Sequence, residues 1–135
     1  LYMNGLLETF AQSRGETFLE KLGVERLAQM VIESIIDVGN MMIDGFIMRD
    51  PGSYEDIIDI LVDEKVIPKE DETPYKKLIQ IRPLIVINYL SIDHERIKQT
   101  LKNHLKVYKA FSQHVRQYLE KELGVANTFY NINSR

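Results

Sequence analysis

The sequence predicts an all-α domain, a single helical bundle of about five helices of which two are long. Apolar residues recur every three or four positions over most of the chain, which is the spacing of one buried helical face. No stretch alternates with a period of two for long, apart from the short run 84–88, which the pattern alone does not assign. A chain of 135 residues is long enough for one compact domain and short for two. We expect a helical domain over 1–124 and a flexible tail over 125–135.

The first long helix is predicted to run from about 16 to 47. Its buried face is a set of apolar side chains at helical spacing: Val24, Ala28, Val31, Ile35, Val38 and Met42. A polar stripe with the same spacing lies on the opposite side: Arg26, Gln29, Glu33, Asp37, Asn40 and Asp44. Gly39 has no side chain, so a neighbouring helix could approach closely there.

The second helix is predicted to begin after the turn sequence at 50–52. Ser53 is expected to cap it by accepting a hydrogen bond from the amide of Asp56. Glu55 and Asp56 suit the positive end of the helix dipole. The side chains expected to face the core are Tyr54, Ile57, Ile58 and Leu61. Pro68 and the charged residues after it end the helix and form a linker.

Two further helices follow from the positions of prolines and caps. One should begin near Pro74, since proline suits a first helical turn. Pro83 interrupts it, because proline lacks an amide N–H and clashes with the carbonyl four residues earlier. Asp93 is predicted to cap the last helix, which continues to about 123. The buried stripe of this helix is Ile97, Leu101, Leu105, Tyr108, Phe111, Val115 and Leu119.

Composition excludes several kinds of site. Hydrophobic residues make up 44% of the chain and charged residues 27%, the balance of a soluble globular protein. No apolar run is long enough to cross a bilayer and no signal-peptide pattern opens the chain, so we expect a cytoplasmic protein that binds no membrane. The absence of cysteine excludes disulfides, thiolate zinc sites and a cysteine nucleophile. The imidazoles are His94, His104 and His114.

Charge is distributed unevenly along the chain. Acidic residues are in excess over 1–92, whereas basic residues are in excess over 93–123. Four lysines form a row at helical spacing on the last helix: Lys98, Lys102, Lys106 and Lys109. Such a row could follow a phosphate backbone, but few aromatic residues accompany it, so a solvated helix face is favoured.

The segment 81–90, IRPLIVINYL, contains the main candidate for a site. Arg82 and Tyr89 are seven positions apart and would project from nearly the same helical face. An arginine in a cleft binds phosphate well, because its planar fork contacts two oxygens at once. The alternative is an Arg82 paired with Asp37 or Asp44, and a Tyr89 in the core.

The polar stripe is the second candidate. Glu33, Asp37, Asn40 and Asp44 would face Arg82 across a cleft and orient its guanidinium group, or they would form a solvated surface. A metal site would need converging carboxylates with no help from histidine, so no metal and no cofactor are expected. His94, at the start of the last helix, is expected to be solvated.

Two segments of the chain resemble a known family. The sequences SIIDVGNMMIDGFIMRDPGSYEDIIDILVDEKVIP and IRPLIVINYLSID are similar to the HepT-like branch of the HEPN superfamily, and within it to the YutE-like proteins. The resemblance covers about 20–120. Its most specific parts are the DVGN run at 37–40, the helix start at Ser53 and Tyr54, and the block 82–93.

The resemblance implies a helical protein that forms a two-fold dimer. In family members that act as toxins, an arginine and a histidine separated by four to six intervening residues form a metal-independent ribonuclease site, and both subunits contribute to one cleft. A nucleotidyltransferase encoded nearby is the antitoxin. It can adenylylate a tyrosine two residues after the histidine.

Transferred to this chain, the arginine is Arg82 and the tyrosine is Tyr89, while Ile87 stands at the histidine position and Pro83 follows the arginine. Cleavage of RNA by its 2′-hydroxyl needs groups that accept and donate protons, and isoleucine does neither. The leading hypothesis is therefore a dimeric binding or regulatory module with a degenerate ribonuclease motif. It would bind a partner protein such as the nucleotidyltransferase, a nucleotide or RNA through a cleft at Arg82 and Tyr89.

Two other hypotheses remain open. One is an active ribonuclease toxin of a toxin–antitoxin pair that uses Tyr89 or His94 for proton transfer. The other is an assembly module in which Arg82 only stabilises a subunit interface.

Overall fold

The computed structural model describes residues 2–12, 17–87 and 93–133, with side chains to residue 124. Within these ranges every regular element is a helix, so the predicted all-α class is confirmed. The α-helices are α1 (Tyr2–Gln12), α2 (Phe18–Gly45), α3 (Tyr54–Asp63), α4 (Glu72–Gln80), α5 (Arg82–Val86), α6 (His94–Asn103), α7 (Leu105–Lys109) and α8 (Phe111–Asn133). A short 3-10 helix, Lys69–Asp71, precedes α4.

Helix α2 is the central element, and α1, α3, α5 and α6 pack against it. Thr17 caps its first turn by accepting from the amide of Glu20 at 3.0 Å. The predicted apolar face is buried, except for Val38, which is half-buried. The close approach predicted at Gly39 is also present, since a Cβ atom there would lie 2.5 Å from Ile57 Cγ2 of α3. Gly39 therefore fixes how near α3 comes to α2.

The predicted interruption at Pro83 is confirmed. Helix α4 ends at Gln80, and Ile81 forms a turn in which its amide donates to the carbonyl of Leu78. Helix α5 begins at Arg82 with Pro83 in its first turn, where the missing N–H costs nothing. The break places Arg82 at a helix start instead of in the middle of a continuous helix.

The last helix differs from the prediction. It is broken at His104 and at Ala110 into α6, α7 and α8, although Asp93 caps it as predicted by accepting from the amide of Arg96 at 3.2 Å. The buried stripe is retained, with only Leu105 and Leu119 half-buried, because the breaks let the chain turn while keeping its apolar side toward the core. The backbone of α8 stays helical to Asn133, so the predicted end near 123 is wrong. The division into a domain of 1–124 and a flexible tail remains an expectation.

Two buried tyrosines connect α4 to the segment around α7. The hydroxyl of Tyr75 donates to the carbonyl of Val107 at 3.0 Å, and the hydroxyl of Tyr108 donates to the carbonyl of Pro74 at 2.9 Å. The Tyr75 ring packs on the rings of Tyr108 and Phe111, with centroids 5.8 and 5.7 Å apart. This reciprocal pair holds the carboxyl-terminal third of the chain against the helix that leads into Arg82.

Candidate functional site

Arg82 is held by an ion pair to α2. Its Nε atom donates to Oε1 of Glu33 at 2.7 Å, and both side chains are partly buried. The carboxylate partner thus comes from the predicted polar stripe, but it is Glu33 and neither Asp37 nor Asp44. A short charge-assisted hydrogen bond of this kind orients the guanidinium plane.

Tyr54 contacts the other side of Arg82. The guanidinium carbon lies 4.8 Å from the centroid of the Tyr54 ring, which is a cation–π contact. Tyr54 was predicted to face the core, and that prediction is wrong, because 46% of the residue is exposed. It is the first residue of α3 and precedes the buried residues Ile57, Ile58 and Leu61 of that helix. The aromatic residue beside Arg82 is therefore Tyr54.

Hydrogen bonds between the loop before α3 and Asp56 position Tyr54. Arg49 donates from both terminal nitrogens to the carboxylate of Asp56, at 2.6 and 2.7 Å, and the amide of Gly52 donates to the same carboxylate at 2.8 Å. These hydrogen bonds hold the pKa of Asp56 well below its usual range, with the Arg49 bond as the largest cause. Ser53 caps α3 as predicted, accepting from the amide of Asp56 at 3.1 Å. Three N–H donors, two from Arg49 and one from Gly52, thus bind the carboxylate of Asp56 and fix the start of α3.

An open cleft of about 440 Å³ adjoins Tyr54. It lies between α2 and the start of α3 and is lined by Asn40, Pro51, Gly52, Ser53, Tyr54 and Ile57. We call this cleft, together with the stacked guanidinium, the Arg82–Tyr54 cleft. Of the predicted stripe, Asn40 lines it, while Asp37 and Asp44 are exposed on the outer surface of α2.

The position that corresponds to the motif histidine is open to solvent. Ile87 follows α5, donates its amide to the carbonyl of Pro83 at 3.0 Å, and is 69% exposed. Its side chain offers neither a proton nor a lone pair. Tyr89 lies outside the described residues.

His94 is largely buried, and the expectation of a solvated histidine is wrong. Its Nδ1 atom lies 3.5 Å from Oε1 of Glu25 on α2, and only 11% of its side chain is exposed. Within the described part of the chain, neither ring nitrogen has a hydrogen-bond partner. Glu25 and Glu33, which contact His94 and Arg82, are eight residues apart on one helix, or about 12 Å. Within one subunit, His94 and Arg82 therefore contact different turns of α2.

The arrangement suits binding of a phosphate-bearing group next to an aromatic ring. A partly exposed guanidinium supplies charge and directed donors, Tyr54 supplies a stacking surface, and Asn40 supplies an amide. Over residues 2–12, 17–87 and 93–133, no three His, Asp or Glu side chains come together as metal ligands would. Over the same ranges no helix is sufficiently long and apolar to span a membrane.

The fold and this site define a class of protein: a helical bundle with an arginine at the start of a short helix, oriented by a carboxylate of the central helix. A family model described as ribonuclease HepT-like matches residues 3–115. The chain belongs to this HEPN-type family.

A curated relative and a solved structure agree with this assignment. The chain is 44% identical over 119 residues to a Bacillus subtilis (strain 168) protein named "Putative RNase YutE", and the match covers 88% of this chain and 83% of the relative. It is similar, with a TM-score of 0.88 and 43% identity, to a solved structure described as the cytosolic protein of unknown function YutE from Bacillus subtilis. That similarity covers 91% of this chain and 87% of the other.

Proposed function

We propose that this protein is a HepT-like binding or regulatory module with a degenerate ribonuclease motif, and that its Arg82–Tyr54 cleft binds a phosphate-bearing partner, RNA or a nucleotide. The observation that carries the proposal is the fixed Arg82 beside an exposed aromatic ring, together with an isoleucine where the family's motif has histidine. As in the family generally, we expect a cytoplasmic homodimer whose protein partner is a nucleotidyltransferase that can adenylylate Tyr89.

The outer donors of Arg82 favour phosphate binding. Its Nε atom is used by Glu33, and its two terminal nitrogens make no hydrogen bond to a side chain or carbonyl of the described residues. A guanidinium group presents five N–H donors in one plane. The outer edge of Arg82 is therefore available to two oxygens of a phosphate.

Tyr54 offers a stacking surface beside those donors. One face of the ring is next to the guanidinium group, and the residue is nearly half exposed. Stacking of a base on an aromatic side chain contributes about 1–3 kcal/mol and tolerates any base. A nucleotide could therefore stack on Tyr54 while its phosphate contacts Arg82, and the partner would be recognised by these general features of a nucleotide.

Among the described residues no imidazole contacts Arg82, and the carboxylate beside it, that of Glu33, is already bound by the guanidinium group. Attack by a 2′-hydroxyl requires one group to take a proton and another to give one. Ile87 cannot serve, and His94 contacts Glu25, which lies eight residues, or about 12 Å of helix rise, from Glu33 on α2. Binding without efficient cleavage is the function that these residues favour.

The test is a binding titration with a fluorescent single-stranded RNA of mixed sequence. Replacing Arg82 by alanine should weaken binding about tenfold or more, since a charge-assisted hydrogen bond contributes roughly 1.5–3 kcal/mol. Tyr54→Ala should weaken it to a similar extent. Arg116→Ala is the matched control, because Arg116 is an exposed arginine on α8 and its replacement should leave RNA binding as in the unmodified protein. Equal affinity in all four proteins would refute the proposal.

The second candidate is an active metal-independent ribonuclease toxin that forms a toxin–antitoxin pair with the nucleotidyltransferase. It is supported by the name of the curated relative, which is 44% identical to this chain. In this case Tyr89 or His94 would carry the proton. RNA cleavage that disappears in Tyr89→Phe or in His94→Ala, but not in the partly exposed control His104→Ala, would establish it, provided that each variant is folded.

A third candidate is a purely structural role. It is supported by the Arg82–Glu33 ion pair itself, which joins α5 to α2. Under this hypothesis Arg82→Ala would lower the melting temperature, and neither RNA nor a nucleotide would bind to the unmodified protein at any concentration tested.

A further inference from the structure

Another pocket lies on the side of α2 that is turned away from the Arg82–Tyr54 cleft. It has a volume of about 330 Å³ and lies where the first turn of α1, the middle of α2 and the first turns of α8 meet, between Met3, Val38 and Val115. We call it the three-helix pocket. Val38 lines it, whereas Asn40 lines the Arg82–Tyr54 cleft. These two residues are two positions apart, so their side chains point about 160° apart around α2. The two cavities are therefore separate.

The inner wall of the three-helix pocket is apolar. Met3, Phe111 and Val115 are buried members of the core, and each of them also borders the pocket. Val38 is half-buried beside them. The ring of Phe111 is held by an edge contact with the ring of Tyr75, with centroids 5.7 Å apart. Water finds few hydrogen-bond partners at such a wall, so its displacement by an alkyl group is favourable. The inner part of the pocket therefore suits a hydrocarbon chain.

The outer part of the pocket carries a positive charge, and no aspartate or glutamate of the described residues lines it. Arg116 lies there, is exposed, and makes no ion pair or hydrogen bond with another described residue. Ser112 lies one helical turn before Arg116 on the same face of α8, and its half-buried hydroxyl likewise has no partner in the described part of the chain. Together these groups supply N–H and O–H donors. The outer part of the pocket therefore suits a carboxylate.

We infer that the three-helix pocket binds a single-chain carboxylate, a free fatty acid of medium length. The alkyl chain lies along the apolar inner wall, and the carboxylate accepts hydrogen bonds from Arg116 and Ser112. A water-sized group occupies about 30 Å³, so a pocket of about 330 Å³ holds about ten heavy atoms, which corresponds to roughly eight carbons and two oxygens. A protein partner fits this pocket less well, because a stable interface buries about 800 Å² on each side, the surface of some twenty residues. The site is additional to the proposed RNA or nucleotide site and does not depend on it.

The test is isothermal titration calorimetry of the full chain with sodium hexanoate, octanoate and decanoate, each below its micellar concentration. Each buried methylene adds to the affinity, so binding should tighten about tenfold from hexanoate to octanoate. From octanoate to decanoate the gain should be smaller, because the pocket is then full. If none of the three carboxylates bound at millimolar concentration, or if the affinity did not change with chain length, the inference would be overturned.

Arg116→Gln tests the position of the carboxylate. This variant should weaken octanoate binding about fivefold, since one charge-assisted contact at an exposed site is lost. It should leave the binding of octan-1-ol unchanged, because the alcohol has the same chain and no charge. Arg96→Gln is the matched control, because Arg96 is an exposed arginine on α6 that does not line the pocket. An equal effect on both ligands, or no effect on octanoate, would refute the contact with Arg116.

Ser112→Phe tests the pocket itself, because the added ring fills it. Octanoate binding should be lost in this variant and retained in the matched control Gln113→Phe, whose position is exposed and lies outside the pocket. Circular dichroism establishes that each variant is folded.

A measurement on the unmodified protein avoids any change in folding. In amide NMR spectra, octanoate should shift the signals of Val38, Ser112 and Val115 and leave those of Asn40 and Tyr54 in place. Shifts confined to Asn40 and Tyr54 would place the ligand in the other cleft and overturn the inference. The RNA titration of Arg82→Ala decides the proposed function separately.

Discussion

Gly39 offers a direct test of how α3, and with it Tyr54, is positioned. Replacing a helical glycine by alanine normally raises stability by about 0.5–1 kcal/mol. At position 39 the new Cβ atom would lie 2.5 Å from Ile57 Cγ2, closer than two carbon atoms can approach. Overpacking of a core costs about 1–3 kcal/mol. We therefore expect Gly39→Ala to lower the free energy of unfolding by up to about 2 kcal/mol.

The assay is urea denaturation followed by circular dichroism. Gly23→Ala is the matched control, because Gly23 lies in the same helix and a Cβ atom there would meet no atom of a neighbouring residue within 4 Å. This variant should therefore be more stable than the unmodified protein. The difference between the free energies of unfolding of the two variants gives the cost of the contact between the new Cβ atom and Ile57. In a protein that already carries Ile57→Ala, which removes Cγ2, Gly39→Ala should no longer destabilise. If Gly39→Ala stabilised the unmodified protein as much as Gly23→Ala does, the close packing of α3 on α2 would be refuted.

The tyrosines that join α4 to α7 give two further predictions. Tyr108→Phe should lower the free energy of unfolding by about 1–3 kcal/mol, because the buried carbonyl of Pro74 loses its donor, and urea denaturation should show no loss if that bond is absent. Burial raises the pKa of both Tyr75 and Tyr108, so above about pH 10 the unfolded chain releases phenol protons that the folded chain keeps. Their contribution to stability should be complete below about pH 10 and fall above it by about 1.4 kcal/mol per pH unit for each tyrosine, with a shallower fall in Tyr108→Phe.

Much of the fold can be predicted from residues that are close together in the sequence. The period of apolar residues located α2 to within about two residues at each end, and the caps at Ser53 and Asp93 lie where side-chain chemistry predicts them. Pro83 predicted the interruption before α5 because its effect on a helix depends only on its own ring and a nearby carbonyl. These features depend on residues close together in sequence.

What the sequence could not predict depends on contacts between distant residues. The period of the last helix is continuous, yet packing breaks it at His104 and Ala110. Tyr54 has the same helical phase as the buried residues of α3. It is nevertheless exposed, because no packed neighbour covers it at the start of that helix. The polar stripe of α2 limits the possible partners of Arg82 to a few carboxylates. Which of them pairs with Arg82 depends on the position along α2 at which α5 packs, and that position is at Glu33. Arg82 itself is predictable from the sequence, because it is a charged residue in the apolar run 81–90 and matches the arginine of the HepT-like motif.

The rate at which the purified protein cleaves single-stranded RNA, measured without added metal, tests the central claim most directly. If the motif is degenerate because Ile87 replaces the proton-carrying histidine, the unmodified protein should cleave no faster than Arg82→Ala, while replacing Ile87 by histidine should raise the rate. Cleavage by the unmodified protein that Arg82→Ala abolishes would contradict the account.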